Sequence, residues 1–323
     1  MKSLQHLASL KLTTFLILWL IIGVVLNIQF EHHWALIAPP LFAVCLNLIA
    51  ALIVTRRLRQ DPWLLIFHLA LLALVFLAGL NQLTSRKGHI EIFEGGEFTG
   101  QLDEQDTGPL LLATLDDLRF TLVAVEVAYN DEGERIGTFS RIQVTQPVQD
   151  RQSFVVADQH PFKYRGYRFY TTHNKGFALI MRWYDYQTGE SSMGAIHLPG
   201  YPVNQFDQSI RWQPPEGQPE LWLHLDFDPV VPGEATGGQF RLPESPELVI
   251  RFDEERLVMN QGETRRLETG ELTFMGVRAW MGFKVQYDGL IKWLLASAIM
   301  AILSLAAYLV RRRQLEEKNT FSD

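Results

Sequence analysis

Hydrophobic and polar positions divide this chain into two kinds of text. Four runs, Leu12 to Ile28, Trp34 to Val54, Trp63 to Leu80 and Leu290 to Val310, are apolar almost without interruption. Each is close to the roughly twenty residues that a helix rising about 1.5 Å per residue needs to cross a bilayer core. Between the third and fourth runs, from Ser85 to Asp288, the pattern changes to period two. Leu221, Leu223, Leu225 and Phe227 alternate with Trp222, His224, Asp226 and Asp228, as in a strand buried on one face. Leu118 to Tyr129, Arg141 to Thr145, Tyr167 to Thr172, Phe177 to Tyr186, Glu247 to Phe252 and Leu272 to Val277 read the same way. Turn residues at Asn130 to Gly133, Asn174 to Gly176 and Thr188 to Glu190 separate them. Asn204 to Pro219 and Pro229 to Pro246 are rich in Pro, Gly and polar residues and predict loops.

The predicted fold class is a membrane protein with four transmembrane α-helices and an extracytoplasmic antiparallel β-rich domain, a sandwich or partly open barrel. The expected divisions are residues 1–84 for the three-helix region, 85–288 for the β-rich domain, 289–311 for the fourth helix and 312–323 for a tail. The first run lacks a small-x-small cleavage site after Gly23, and two more apolar runs follow closely, so it predicts a retained helix rather than a cleaved presequence.

Charge adds an orientation. Lys2 and Lys11 precede the first run, Arg56, Arg57 and Arg59 lie between the second and third, and Arg311, Arg312 and Arg313 follow the fourth. The turn Gln29 to His33 has no Lys or Arg. Basic flanks stay in the cytoplasm, which predicts both termini inside and residues 85–288 outside. Trp34, Trp63, Trp293 and Tyr308 stand near the run ends, where amphipathic aromatics settle at headgroup level. The net charge of −7, with much of the acidic excess between the third and fourth runs, disfavours nucleic acid as a partner. Cys45 is the single cysteine, so the outer domain has no disulfide and the chain no Cys-x-x-Cys. No P-loop, Gly-x-Ser-x-Gly elbow or His-Glu-x-x-His motif occurs, so nothing in the sequence argues for a self-contained hydrolase, kinase or dehydrogenase.

His68 is the most informative residue, because an ionisable group inside a spanning run is costly and by default suggests function. Neutral imidazole is a common axial ligand of haem iron. On residues alone, a hydrogen bond to a neighbouring helix, for instance at Asn47, is the favoured reading. His32 and His33, in the short outer turn, offer a weaker metal or haem contact, and adjacent turn side chains usually face water. His224, Asp226 and Asp228 offer ligand atoms on one strand, but a solvated sheet face is the simpler reading. Asn47, Asn81 and Gln82 suit interhelical hydrogen bonds. Pro39 and Pro40 near the start of the second run predict a bend that widens a cleft against the first helix.

The order of elements combines with local sequence to resemble the ResB family of cytochrome c biogenesis proteins, also called CcsB. The resemblance rests on FHLALL (Phe67–Leu72) through Gly79, KGHIEIFEGGE (Lys87–Glu97), QPV (Gln146–Val148), HPFKYRGYRFY (His160–Tyr170) and GFKVQYDG (Gly282–Gly289). The chain departs from the family pattern in having Gly289 where Pro-Gly is usual, and in a short outer domain. The resemblance implies a bacterial inner-membrane subunit of a haem delivery complex, a non-catalytic or co-catalytic part of a cytochrome c synthase. Its cargo would be haem b, carried outward and presented to Cys-x-x-Cys-His motifs of apocytochrome c. The implied partners are a ResC/CcsA-like polytopic protein, apocytochrome c and a separate thiol reductant, and His68 matches the family's third-helix histidine. A haem-free, membrane-anchored assembly scaffold or periplasmic binding module is the competing reading.

Overall fold

The computed structural model describes residues 2–29, 34–130, 135–147, 152–204, 206–214, 220–228, 242–252 and 255–320. The helices are α1 (Lys2–Leu7), α2 (Leu10–Gln29), α3 (Trp34–Val54), α4 (Arg56–Gln60), α5 (Pro62–Thr84) and α6 (Ile291–Thr320). Four segments are long and apolar enough to cross a membrane: α2, α3, α5 and Ile291–Leu315 of α6. They pack as a row in which α3 touches α2 and α5, and α5 touches α6.

Beside Pro39 and Pro40, where the sequence predicts a cleft, α2 and α3 approach closely at Gly23 and Leu36. Both prolines sit inside α3, and Pro40 has no amide proton to give the Leu36 carbonyl. Gly23 of α2 closes on that carbonyl, so tightly that a Cβ there would lie 2.3 Å from the Leu36 oxygen. A glycine facing a proline-freed carbonyl draws the helices together at the point where the sequence suggested they part.

The β-rich domain contains β1 (Arg86–Phe93), β2 (Glu97–Phe98), β3 (Glu104–Thr107), β4 (Arg119–Tyr129), β5 (Arg135–Gln146), β6 (Gln152–Ala157), β7 (Phe162–Tyr164) and β8 (Tyr167–Asp185). It continues with β9 (Ser191–His197), β10 (Ser209–Trp212), β11 (Leu221–Asp226), β12 (Glu247–Phe252), β13 (Glu255–Met259), β14 (Thr264–Leu267) and β15 (Gly270–Tyr287). All pairings are antiparallel. A seven-stranded sheet runs β3-β1-β15-β8-β7, with β14 beside β15 and β9 beside β8. Two four-stranded sheets, β2-β4-β5-β6 and β10-β11-β12-β13, complete the domain, and among the described residues none closes into a barrel.

Two hydrophobic cores result, one behind the other along the long pair β8 and β15. The helix-proximal core gathers Phe98, Phe120, Phe169 and Phe283, and the distal core gathers Phe177, Leu223, Ile250 and Phe274. Leu242 packs against both. β1 begins two residues after α5 and β15 ends four before α6, and Arg86 pairs with Tyr287, so α5 and α6 enter the domain side by side.

Local chemistry explains the tight turn between β7 and β8. Arg165 and Gly166 both have positive φ (44° and 91°), as a two-residue hairpin loop requires. The turn expected at Asn174 to Gly176 is a correction: β8 runs through it. Thr172, His173 and Asn174 oppose the single Gly282, a bulge in which Thr172 Oγ1 donates to the Gly282 carbonyl at 2.9 Å and accepts from the Asn174 amide at 3.1 Å. The Thr188 to Glu190 turn stands between β8 and β9, with the Gln187 and Thr188 amides donating to Asp185 Oδ1. Most of the Asn130 to Gly133 turn lies outside the described residues.

Candidate functional site

α5 starts where Pro62 supplies its first position and Asp61 caps it, the carboxylate accepting from the amides of Trp63 (2.9 Å) and Leu64 (3.2 Å). One further turn along, the apolar run carries His68, half-buried against Phe67, whose ring meets it edge-on at 5.1 Å. His68 Nδ1 lies 2.7 Å from the Leu64 carbonyl oxygen. A carbonyl oxygen only accepts, so the imidazole proton is on Nδ1 and the Nε2 lone pair is free. Among the described residues nothing hydrogen-bonds Nε2. Metal-binding histidines typically donate their other ring N–H to a carbonyl or carboxylate, which fixes the tautomer and orients the ring. The donor set therefore fits one axial position of a haem iron, and His68 is the only histidine within the four spanning segments.

Asn47, the expected partner of His68, is engaged elsewhere. It is 4% exposed, accepts from Thr13 Oγ1 at 2.8 Å and donates to the Leu7 carbonyl, tying α1 and α2 to α3. The helix-packing role thus falls to Asn47, while His68 bonds only within its own helix. His32 and His33 lie outside the described residues. His224 stacks on Trp222 (5.4 Å between centroids, 7° between planes), and Arg251 lies 4.9 Å over the same indole. That strand face is a stacked surface, and no group of three metal-ligating side chains occurs among the described residues.

One polar cluster escaped the sequence reading. At the junction of the two cores a cleft of about 660 Å³ is lined by His89, Glu91, Asp103, Glu104, Asn174 and His197, among others. Glu91 holds it together, Oε1 accepting from Asn174 Nδ2 at 3.1 Å and Oε2 lying 3.1 Å from His197 Nδ1. His197 in turn stacks on Trp280 at 5.4 Å, whose indole N–H donates to the Leu198 carbonyl at 3.2 Å. Glu91 and His197 are 106 positions apart, so no spacing signals the pair, although Glu91 falls within the KGHIEIFEGGE stretch.

A β-rich domain carried between the third and fourth of four spanning helices defines a polytopic membrane protein. The model of the ResB-like family matches residues 64–241, more than half of the chain, and the chain belongs to that family. Among solved structures it is similar to one titled Cytochrome c Heme Lyase CcmF, at 11% identity and a TM-score of 0.28, over 92% of this chain and 34% of that one. The chain spans about a third of that structure's length. No curated protein sequence matches the chain.

Proposed function

We propose that this chain is the ResB-like subunit of a membrane complex that carries haem outward and presents it to apocytochrome c. Membership of the ResB-like family supports a role in cytochrome c biogenesis. The observation that carries the finer reading is the state of His68: Nδ1 bound to the Leu64 carbonyl, and Nε2 unpartnered inside a spanning helix. A polar nitrogen that meets hydrocarbon without a partner is costly, and an iron supplied with the cargo would satisfy it. Haem b, as cargo, would bring an iron with two axial positions. His68 can hold one, which leaves the second to a ResC/CcsA-like polytopic partner; His32 and His33, in the turn at the opposite, outer end of the bundle, offer a separate and weaker contact.

The remaining parts suit this role. Arg56, Arg57 and Arg59 of α4 and the Arg311 to Arg313 cluster of α6 meet at one end of the bundle, where Arg311 reaches Asp61. That asymmetry supports cytoplasmic termini and an extracytoplasmic β-rich domain, in the inner membrane of a bacterium. Without a Cys-x-x-Cys the chain cannot itself keep apocytochrome thiols reduced, so a separate thiol reductant belongs to the system.

The test is the visible spectrum of the chain purified with its polytopic partner, native against His68→Ala, with imidazole added back to the variant. A haem band lost or shifted in the variant and restored by imidazole is expected. An unchanged spectrum would remove His68 from haem ligation and favour a scaffold that binds no haem through this helix.

A further inference from the structure

The loop from Gly108 to Leu115 joins β3 to the buried start of β4, and its position is fixed by the end of a spanning helix. The Leu110 amide donates to the Leu83 carbonyl and the Gly108 amide to the Ser85 carbonyl, both at 2.8 Å. These bonds occupy carbonyls at the C-terminal end of α5, where helical partners run out. Gly108 is required for the approach, since a Cβ there would lie 2.4 Å from the Leu83 carbonyl carbon and oxygen. Farther on, the Tyr167 hydroxyl donates to the Ala113 carbonyl at 2.7 Å, and Leu115 and Leu118 are wholly buried in the helix-proximal core. The loop is thus pinned at both ends, to the helix and to the domain.

Between those pins it presents Pro109-Leu110-Leu111-Leu112-Ala113, with Leu110 54% and Leu112 94% exposed. A held apolar tip facing water is unusual, and this one sits where the spanning surface of α5 ends. Trp293, 67% exposed, lies in the first turn of the neighbouring α6, at the same end of the bundle. Charged groups stand on the domain side of the tip, Arg86 in β1 directly after Ser85 and Asp117 paired with Arg165 at 2.6 Å. Apolar tip, aromatic neighbour and charged flank follow the polarity gradient of a bilayer surface.

We infer that the Gly108 to Leu115 loop inserts Leu110 and Leu112 into the lipid beside α5, giving the β-rich domain a third attachment to the membrane in addition to the strands that leave α5 and enter α6. The occupant is lipid, because the exposed surface continues the lipid-facing surface of a helix to which the loop is hydrogen-bonded. This attachment fixes the tilt of the domain on its two helical stalks.

The full chain in lipid nanodiscs tests the inference. With Cys45→Ala removing the native thiol, Leu112→Cys, Leu110→Cys and Met193→Cys are labelled separately with a bimane fluorophore. Met193, 67% exposed on β9 opposite Arg182, is the control far along β8 from the helices. The labels at positions 110 and 112 are expected to be quenched several-fold more than that at 193 by lipids spin-labelled near the headgroup, and several-fold less by aqueous iodide. Equal behaviour at the three positions would overturn the inference. Protection of 110 and 112 from both quenchers would also overturn it, since protein rather than lipid would then cover the loop.

Discussion

Arg311 Nη1 lies 3.5 Å from Asp61 Oδ2, joining the first turn of α5 to the end of the apolar stretch of α6. Asp61 also caps α5, so its two roles can be separated. Asp61→Asn keeps a capping oxygen and loses the ion pair, which at this exposure contributes at most about 1 kcal/mol. Asp61→Ala loses both, adding about 1 kcal/mol for the cap. Thermal denaturation in detergent is expected to rank native above Asp61→Asn above Asp61→Ala, and equal midpoints for the two variants would rule out the cap as the larger contribution.

Asn47 and His68 are the two polar side chains that sequence reading paired, and the structure gives them different work. Asn47→Ala is expected to free the N-terminal segment, seen as faster tryptic cleavage after Lys11, while leaving any haem absorbance of the complex intact. His68→Ala should do the reverse. A haem band that falls equally in both variants would show that helix packing, rather than ligation, governs the signal.

Glu94 follows β1, where Val125 N–H donates to its Oε1 at 2.7 Å. Burial pushes this carboxyl above its usual value of 4.5, against the opposing pull of the Val125 bond and Arg278. A raised folded pKa means that the folded state holds the proton more tightly than the unfolded one. The resulting stabilisation is complete below pH 4.5 and disappears as pH rises through the folded value. Glu94→Gln keeps an acceptor for Val125 without a charge to desolvate. It is expected to raise the melting temperature at neutral pH and to flatten its decline above pH 4.5. Melting curves across that range decide it, a lower midpoint for the variant at neutral pH being the contrary result.

Phe120 is fully buried, with ring centroids of Phe98 at 4.9 Å, Phe169 at 5.6 Å and Phe162 at 6.1 Å. Phe120→Ala should cost about 3–5 kcal/mol. Phe177→Ala acts in the other core, yet both cores hang on β8 and β15. Denaturant titration is expected to show one transition displaced by either substitution. Two transitions, each responding to its own variant, would show that the cores unfold separately.

The helices were legible because a twenty-residue apolar run has few solutions in lipid, and Trp34–Val54 coincides with its predicted span. β11 was legible for the related reason that a strand with one buried face must alternate, and Leu221, Leu223 and Leu225 are buried while Trp222 and His224 between them are only half-buried. Asn174 to Gly176 misled because Asn, Lys and Gly suit both a turn and a bulge, and Gly282, 110 positions from its partner Thr172, decides between them. At the site, the residue type of His68 could be read but its partner could not. Leu64 lies four positions earlier on the same helix, and only the side-chain rotamer shows that the imidazole turns back to it. Glu91 and His197 meet only after β1, β8 and β9 have assembled.

The eighteen residues of β15 are joined to α6 by only Asp288, Gly289 and Leu290. At about 3.3 Å per residue the strand spans at most about 60 Å, so it acts as a mast stepped on the membrane. Rocking the base of such a mast by a few degrees sweeps its tip through several ångströms, and β8, bonded along it, must swing in unison. A tilt of α6 is therefore expected to reappear, enlarged, in the distal sheet wherever the Gly108 to Leu115 loop does not hold the domain to the membrane.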